Sequence, residues 1–245
     1  MKFLPLAAPL LLALTLPLAA QDSMTDAERT LFRDEVRTYL LENPEVLMEA
    51  IGVLEQRQAA AQTSSDAEML QANAAAIFDD PASWVGGNPE GDITVVEFLD
   101  YRCSYCRKAT AEVEELVKSD GNIRFIVKEY PILGAQSVLA SRFAIAVLQL
   151  TDGETYKRTH DALMGLRGDV TPEALERLAG DLGIDAPAVM ARMNSPEVQA
   201  VIDENQRLGG LLAISGTPTF VIDQTLLRGY VPLDGMREIV AGQRG

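Results

Sequence analysis

The stretch from Thr94 to Lys108 constrains this chain more than any other. It reads Thr-Val-Val-Glu-Phe-Leu-Asp-Tyr-Arg-Cys-Ser-Tyr-Cys-Arg-Lys, an apolar, β-branched run that closes in Cys-x-x-Cys and then changes into a helical pattern. Thr94 to Leu99 predicts a buried strand with one charge, Glu97, inside it. From Cys106 onward, Ala109, Val113, Leu116 and Val117 recur at helical spacing with charged residues between them. Cys103 and Cys106 therefore stand at a strand-to-helix junction, on the first helical turn. Residues three apart share a face there, close enough to bridge without moving the backbone.

Free N–H groups and the positive end of the helix dipole favour an anion at that junction. Cysteines so placed ionise at roughly 3.5–7.5 instead of about 8.5. Cys103 is the candidate nucleophile, and Cys106, one turn deeper, the resolving thiol. A zinc half-site would need two more soft ligands, yet these are the only two cysteines and there is one histidine. A purely structural bridge closing so short a loop would constrain the unfolded chain little. No metal and no cofactor are expected.

Residues 1–20 read as a secretory signal peptide: Lys2, an apolar run from Leu10 to Leu18, and Ala19-Ala20 as the cleavage site. A retained anchor is the alternative, since Leu18 stands where a small residue is preferred. Export makes disulfide chemistry available and places the protein in the periplasm or outside the cell. The formal net charge is −15 with no basic stripe, which excludes nucleic acid as an expected partner.

The rest of the chain divides at composition shifts. Residues 21–78 form a helical appendage. Thr25-Asp26-Ala27-Glu28 is a capping box, Asn43-Pro44 an N-cap and helix start, and Ser65-Asp66-Ala67-Glu68 a third start or an interruption. Its apolar seams are too thin to be buried alone, so these helices either pack on the main domain or pair with copies of themselves; self-association through residues 25–62 is the expectation. Residues 79–91, with Pro81, Gly86-Gly87, Asn88-Pro89 and Gly91, read as a linker pinned to the domain by Trp84. The main domain spans 92–245. A second strand from Asn122 to Glu129 completes a β-α-β unit. Residues 137–212 are helical, Thr219–Ile222 and Leu226–Gly229 form a hairpin, and Leu233–Ala241 a closing helix.

Among lone residues, His160 reads as structural because no second ligand or nucleophile accompanies it. The methionines read as core filler. Glu97 is different: a carboxylate within an apolar strand needs a partner, and Lys128, near the end of the neighbouring strand, could supply it. A buried, proton-managing Glu97 is the expectation.

Cys103-Ser104-Tyr105-Cys106 after a strand, the β-α-β unit, the helical insertion and Gly216-Thr217-Pro218-Thr219-Phe220 before a hairpin resemble DsbA-like thioredoxin-fold proteins. Lys128-Glu129-Tyr130-Pro131-Ile132-Leu133-Gly134 and the N-terminal helices resemble the ScsC-like branch. The resemblance implies an α/β thioredoxin fold with a large helical insertion plus an N-terminal helical appendage. It implies a cis-proline at Pro218 beside the cysteines, and substrate contacts from Thr217, Ser104 and Tyr105. It also implies that Glu97 manages protons for the inner thiol. Strong oxidants of the family carry Pro-His between the cysteines, whereas Ser104-Tyr105 supplies no imidazole. The thiolate keeps the helix terminus and whatever Arg102 or Arg107 adds, and a less stabilised thiolate means a less oxidising couple.

The expected function is an exported, oligomeric disulfide isomerase or reductase acting on client proteins, with a membrane redox partner. The alternatives are a monomeric DsbA-type dithiol oxidase and a Cu(I)-binding copper-tolerance protein, whose soft ligands would be the two thiolates.

Overall fold

A computed structural model of the chain describes residues 24–245. The signal-peptide segment 1–20 and its cleavage site near Ala20 lie outside the described residues. The chain begins with helices α1 (Asp26–Glu42), α2 (Glu45–Ala72) and α3 (Ala74–Phe78). Strands β1 (Trp84–Gly87) and β2 (Ile93–Leu99), helix α4 (Ser104–Asp120) and strand β3 (Ile123–Glu129) follow. Five helices then run from α5 (Ala135–Leu150) through α6 (Gly153–Gly165), α7 (Pro172–Leu182) and α8 (Ala186–Arg192) to α9 (Pro196–Leu211). Strands β4 (Thr219–Ile222) and β5 (Thr225–Arg228) and helix α10 (Leu233–Arg244) close the fold. Among the described residues no helix is long and apolar enough to cross a membrane.

Among the described residues, two compact units divide inside α2, residues 24–58 and 59–245. In the first, Thr25 and Glu28 form the capping box that the sequence announces. Asn43 closes α1 instead of opening α2: its side-chain amide donates to the Tyr39 carbonyl at 2.9 Å, satisfying an orphan acceptor of the last turn. Leu31, Phe32, Leu41, Met48 and Leu54 are exposed, and α1 buries no residue.

In the second unit, α2 runs on through Ser65-Asp66 without a break. The Asp66 carboxylate does not cap a new helix; it takes both Nη groups of Arg228, at 2.8 and 2.9 Å. Leu70 and Ile77 are buried in the core of this unit. The structural boundary thus falls near residue 58, where composition suggested 78. The stretch 79–91 is also more than a linker. Trp84–Gly87 adds an antiparallel edge strand to β3, and the Trp84 ring packs on Tyr156. The Gly86-Gly87 pair serves close approach: a Cβ on Gly86 would lie 2.1 Å from the Trp84 ring, and one on Gly87 2.3 Å from the Ile123 carbonyl.

The sheet order is β1-β3-β2-β4-β5, with β2 and β3 parallel and the other pairs antiparallel. This is the β-α-β unit plus hairpin expected from the sequence, with α5–α9 as the helical insertion. Side chains of β2 alternate between two apolar clusters. Val95 and Leu99 join the cluster containing α4, α5 and α10, while Val96 and Phe98 join Leu70, Ile77 and Leu208 on the other face. Glu97 belongs to the first face, the one that α4 covers.

Candidate active site

The end of β2 and the start of α4 are joined by Asp100-Tyr101-Arg102, and the joint is tied by one buried carboxylate. Asp100 Oδ1 accepts from the Arg102 N–H at 2.7 Å, and Oδ2 accepts from the N–H groups of Ile132 and Leu133 at 2.8 and 3.0 Å. The turn after β2 is thereby locked to the loop after β3. Cys103 follows as the N-cap of α4, one residue before the helix proper. Its Sγ accepts from the Cys106 N–H at 3.4 Å, the place where a thiolate would meet the helix dipole. As a thiol, the same sulfur donates to the Thr217 carbonyl at 3.1 Å.

The two cysteines are free thiols with different access. Cys103 retains 7% of its surface, whereas Cys106 has none. Burial pushes the Cys106 thiol far up, and the neighbouring Glu97 carboxylate adds to the shift. Glu97 is itself buried and pushed up to about 8 by desolvation alone, with Oε1 lacking a hydrogen-bond partner among the described residues. An inner thiol and a carboxyl, near enough for the charge of one to act on the other, therefore both hold their protons tightly, while the outer thiol keeps a small exposed surface.

The sequence pairs Lys128 with Glu97, and the sheet separates them. In the β2–β3 register Glu97 stands opposite Val127, and Lys128 opposite Phe98. Pleat alternation sends the two side chains to opposite faces. Lys128 Nζ donates to Asp80 Oδ2 at 2.7 Å and to the Ala76 carbonyl at 2.8 Å, fastening α3 to the sheet.

Thr217 and Pro218 do meet the cysteines: the Thr217–Pro218 peptide is cis, and the Thr217 carbonyl is the Cys103 partner. Ser104 and Tyr105 are exposed on the first turn of α4. The Tyr105 ring lies 6.1 Å from that of Tyr230, over which Lys108 Nζ sits at 4.1 Å. Arg102 and Arg107 are engaged by carbonyls: Arg102 Nη1 donates to Gly168 at 2.6 Å, and Arg107 Nε to Tyr101 at 3.0 Å. Among the described residues no group of three or more His, Cys, Asp or Glu side chains is placed to hold a metal ion.

Sequence reasoning passed over Asp100 and Glu129. Asp100 directly follows one apolar strand and Glu129 ends another, a signal like the one that singled out Glu97 within a strand. Glu129 gathers Tyr101, Tyr156 and Ser141 around its carboxylate.

Comparison with known proteins places these features. The family described as DSBA-like thioredoxin domain matches residues 94–241, and the one described as copper resistance protein ScsC N-terminal domain matches residues 28–61. A thioredoxin-like oxidoreductase from Silicibacter pomeroyi is 41% identical, with a TM-score of 0.66 over 69% of this chain and 96% of its own. BcfH of Salmonella enterica Typhimurium is 29% identical, with a TM-score of 0.75 over 89% and 97%. ScsC of Proteus mirabilis in a transitional conformation is 26% identical, with a TM-score of 0.65 over 91% and 98%. Curated sequence relatives include sodium/proton antiporters of Salinispora, and the chain spans only about a quarter of their length.

Proposed function

The chain belongs to the family of DsbA-like thioredoxin domains, and on that premise we propose that it catalyses thiol–disulfide exchange on client proteins through Cys103 and Cys106. The observation that carries this reading is the asymmetry of the pair. Cys103 caps α4 with a small part of its surface open beside the Thr217 carbonyl, and Cys106 is fully buried.

In the reducing direction the Cys103 thiolate attacks one sulfur of a client disulfide. A Cys103–client disulfide forms and the other client sulfur leaves as a thiolate. Cys106 then gives its proton to Glu97 in its ionised form, which becomes available as pH approaches 8, and attacks Cys103 Sγ. The second client thiol departs, and a Cys103–Cys106 disulfide remains, two electrons having passed to the client. Run backward, the same steps oxidise a client. If the released client thiolate attacks the mixed disulfide first, Cys103 leaves reduced and the client has exchanged one pairing for another. No cofactor enters the balance. A carboxyl that titrates near 8 suits the proton transfer, because an acceptor works best when its pKa lies near the operating pH. The Thr217-Pro218 turn with exposed Ser104 and Tyr105 is the surface offered to the client chain, Thr217 pairing its backbone with it.

Isomerisation in an oligomer is the finer form of this reading. The exposed apolar side chains of residues 25–62 support homo-oligomerisation, which would hold several Cys103 sites around one client and raise their effective concentration. Export to the periplasm after cleavage near Ala20 and recharging by a membrane redox partner complete the proposal. Replacement of Cys106 by Ala tests the chemistry. The variant is expected to accumulate a mixed disulfide between Cys103 and a scrambled client, detected by mass spectrometry and released by reductant. Recovery of client linked to nothing, or an equal yield from Cys103→Ala, refutes it.

A further inference from the structure

Behind the cysteines lies a second buried acid that the exchange chemistry does not use. Glu129, the last residue of β3, accepts three hydroxyl hydrogen bonds. Tyr101 and Tyr156 donate to Oε1 at 2.8 and 2.7 Å, and Ser141 donates to Oε2 at 2.8 Å. The donors come from three different elements: the turn before Cys103, helix α6 and helix α5. Asn205 of α9 adds a bond to the Glu129 main-chain carbonyl at 3.0 Å. One carboxylate thus fastens the insertion helices to the peptide that leads into the nucleophile. Glu129, Tyr101 and Tyr156 are all buried.

Tyr101 is the member that reaches the site. It lies two residues before Cys103, and its carbonyl accepts from Arg107 Nε, so its position fixes both sides of the first turn of α4. Its hydroxyl also has a second acceptor in reach, His160 Nδ1 at 3.3 Å. The His160 ring is kept neutral by burial, its pKa pushed down to about 4, and with the proton on Nε2 its Nδ1 accepts. Tyr101 therefore stands between two acceptors, one of which can take up a proton.

We propose that Glu129 is a positioning residue for the nucleophile: its ionised carboxylate holds Tyr101, and through Tyr101 the turn that presents Cys103. A carboxylate accepts from all three hydroxyls at once, whereas a carboxylic acid must donate through one of its oxygens. Protonation at Oε1, the oxygen the two tyrosines share, breaks the three-donor arrangement and leaves the Tyr101 hydroxyl with His160 Nδ1 as its other acceptor. Desolvation pushes Glu129 up to about 7 against the pull of its three donors, so the change falls near neutral pH. The titratable and charged groups that bear on it are Tyr101 and Tyr156 at the carboxyl and Asp100 just after β2. Glu97 acts on Tyr156, and Lys157 and Glu114 act on His160, so the cation among them sits beside the second acceptor.

The inference rests on Cys103 being the nucleophile, and the test separates the two. Alkylation of Cys103 by iodoacetamide in the full reduced chain, located by mass spectrometry, needs no client. The wild-type rate is expected to rise with pH in two steps, one for the thiol and one near 7. Glu129→Gln and Tyr101→Phe are each expected to lose the step near 7 and to lower kcat/KM for a disulfide client about tenfold through kcat, with KM unchanged. Should Glu129→Gln fail to fold, Tyr101→Phe decides, since it removes only a hydroxyl. Profiles that superimpose on the wild type, or a loss confined to KM, overturn the proposal. A wild type that alkylates in two steps yet exchanges no disulfide refutes the proposed activity and leaves the positioning role standing.

Discussion

At the scale of single residues, Glu97 links the proposed chemistry to stability. Its carboxyl is pushed up to about 8 in the folded chain, while an unfolded glutamate titrates near 4.3. As pH rises the unfolded chain loses this proton first, so between those values the folded chain holds more protons. Stability is then highest below the unfolded value and falls as pH climbs toward 8, by on the order of a few kcal/mol. Glu97→Gln is expected to unfold at higher denaturant than the wild type at pH 8, with little difference at pH 4.5. Part of the slope remains, because Glu129 titrates in the same window. The same variant is expected to slow the step in which Cys106 attacks, since the proton acceptor is gone. Equal denaturation midpoints at both pH values would contradict the buried, unpaired carboxyl. That Glu97 is buried was legible in the sequence, from one charge in an apolar run. That its Oε1 has no hydrogen-bond partner among the described residues was not. Proximity along two strands suggests Lys128, but one residue of register decides which face a side chain takes, and register depends on tertiary contacts.

At the scale of elements, the segment around α3 and β1 is where composition misleads. Pro81, Gly86-Gly87 and Asn88-Pro89 look like a linker, yet the two glycines let an edge strand lie against the Trp84 ring and the β3 backbone. Just before it, Asp80 neutralises Lys128, whose side chain is 1% exposed, at 2.7 Å. Removing one partner of such a pair leaves an uncompensated charge, a loss of about 3–5 kcal/mol. Asp80→Ala is expected to destabilise the protein by that order in chemical denaturation. Adding Lys128→Met should recover much of the loss, because an apolar side chain needs no counter-charge. A fully stable Asp80→Ala, or no recovery in the double variant, would show that the pair does not hold α3. The elements with strong periodicity (β2, α4, β3, the β4–β5 hairpin and α10) were legible to within a few residues. So was the approach of Thr217-Pro218 to Cys103, which came from the family resemblance and not from any local pattern.

At the scale of the whole molecule, residues 59–78 belong with the redox unit and not with the appendage. Leu70 and Ile77 fill its core, and Asp66 holds Arg228. A deletion that tests the appendage must therefore stop at residue 58; one carried to 78 would also remove buried side chains worth roughly 1.5–3 kcal/mol each. The exposed apolar side chains and the lack of any buried residue in α1 are what the proposed assembly through the N-terminal helices rests on. The most direct measurement is reactivation of a scrambled, disulfide-bonded client, with light scattering on each form. Three forms are compared: the full chain, the chain without residues 24–58, and Cys103→Ala. The full chain is expected to scatter as an oligomer and restore client activity. The shortened chain should be a monomer that exchanges disulfides but reactivates poorly, and Cys103→Ala should do neither. Reactivation by Cys103→Ala at the wild-type rate would contradict the account.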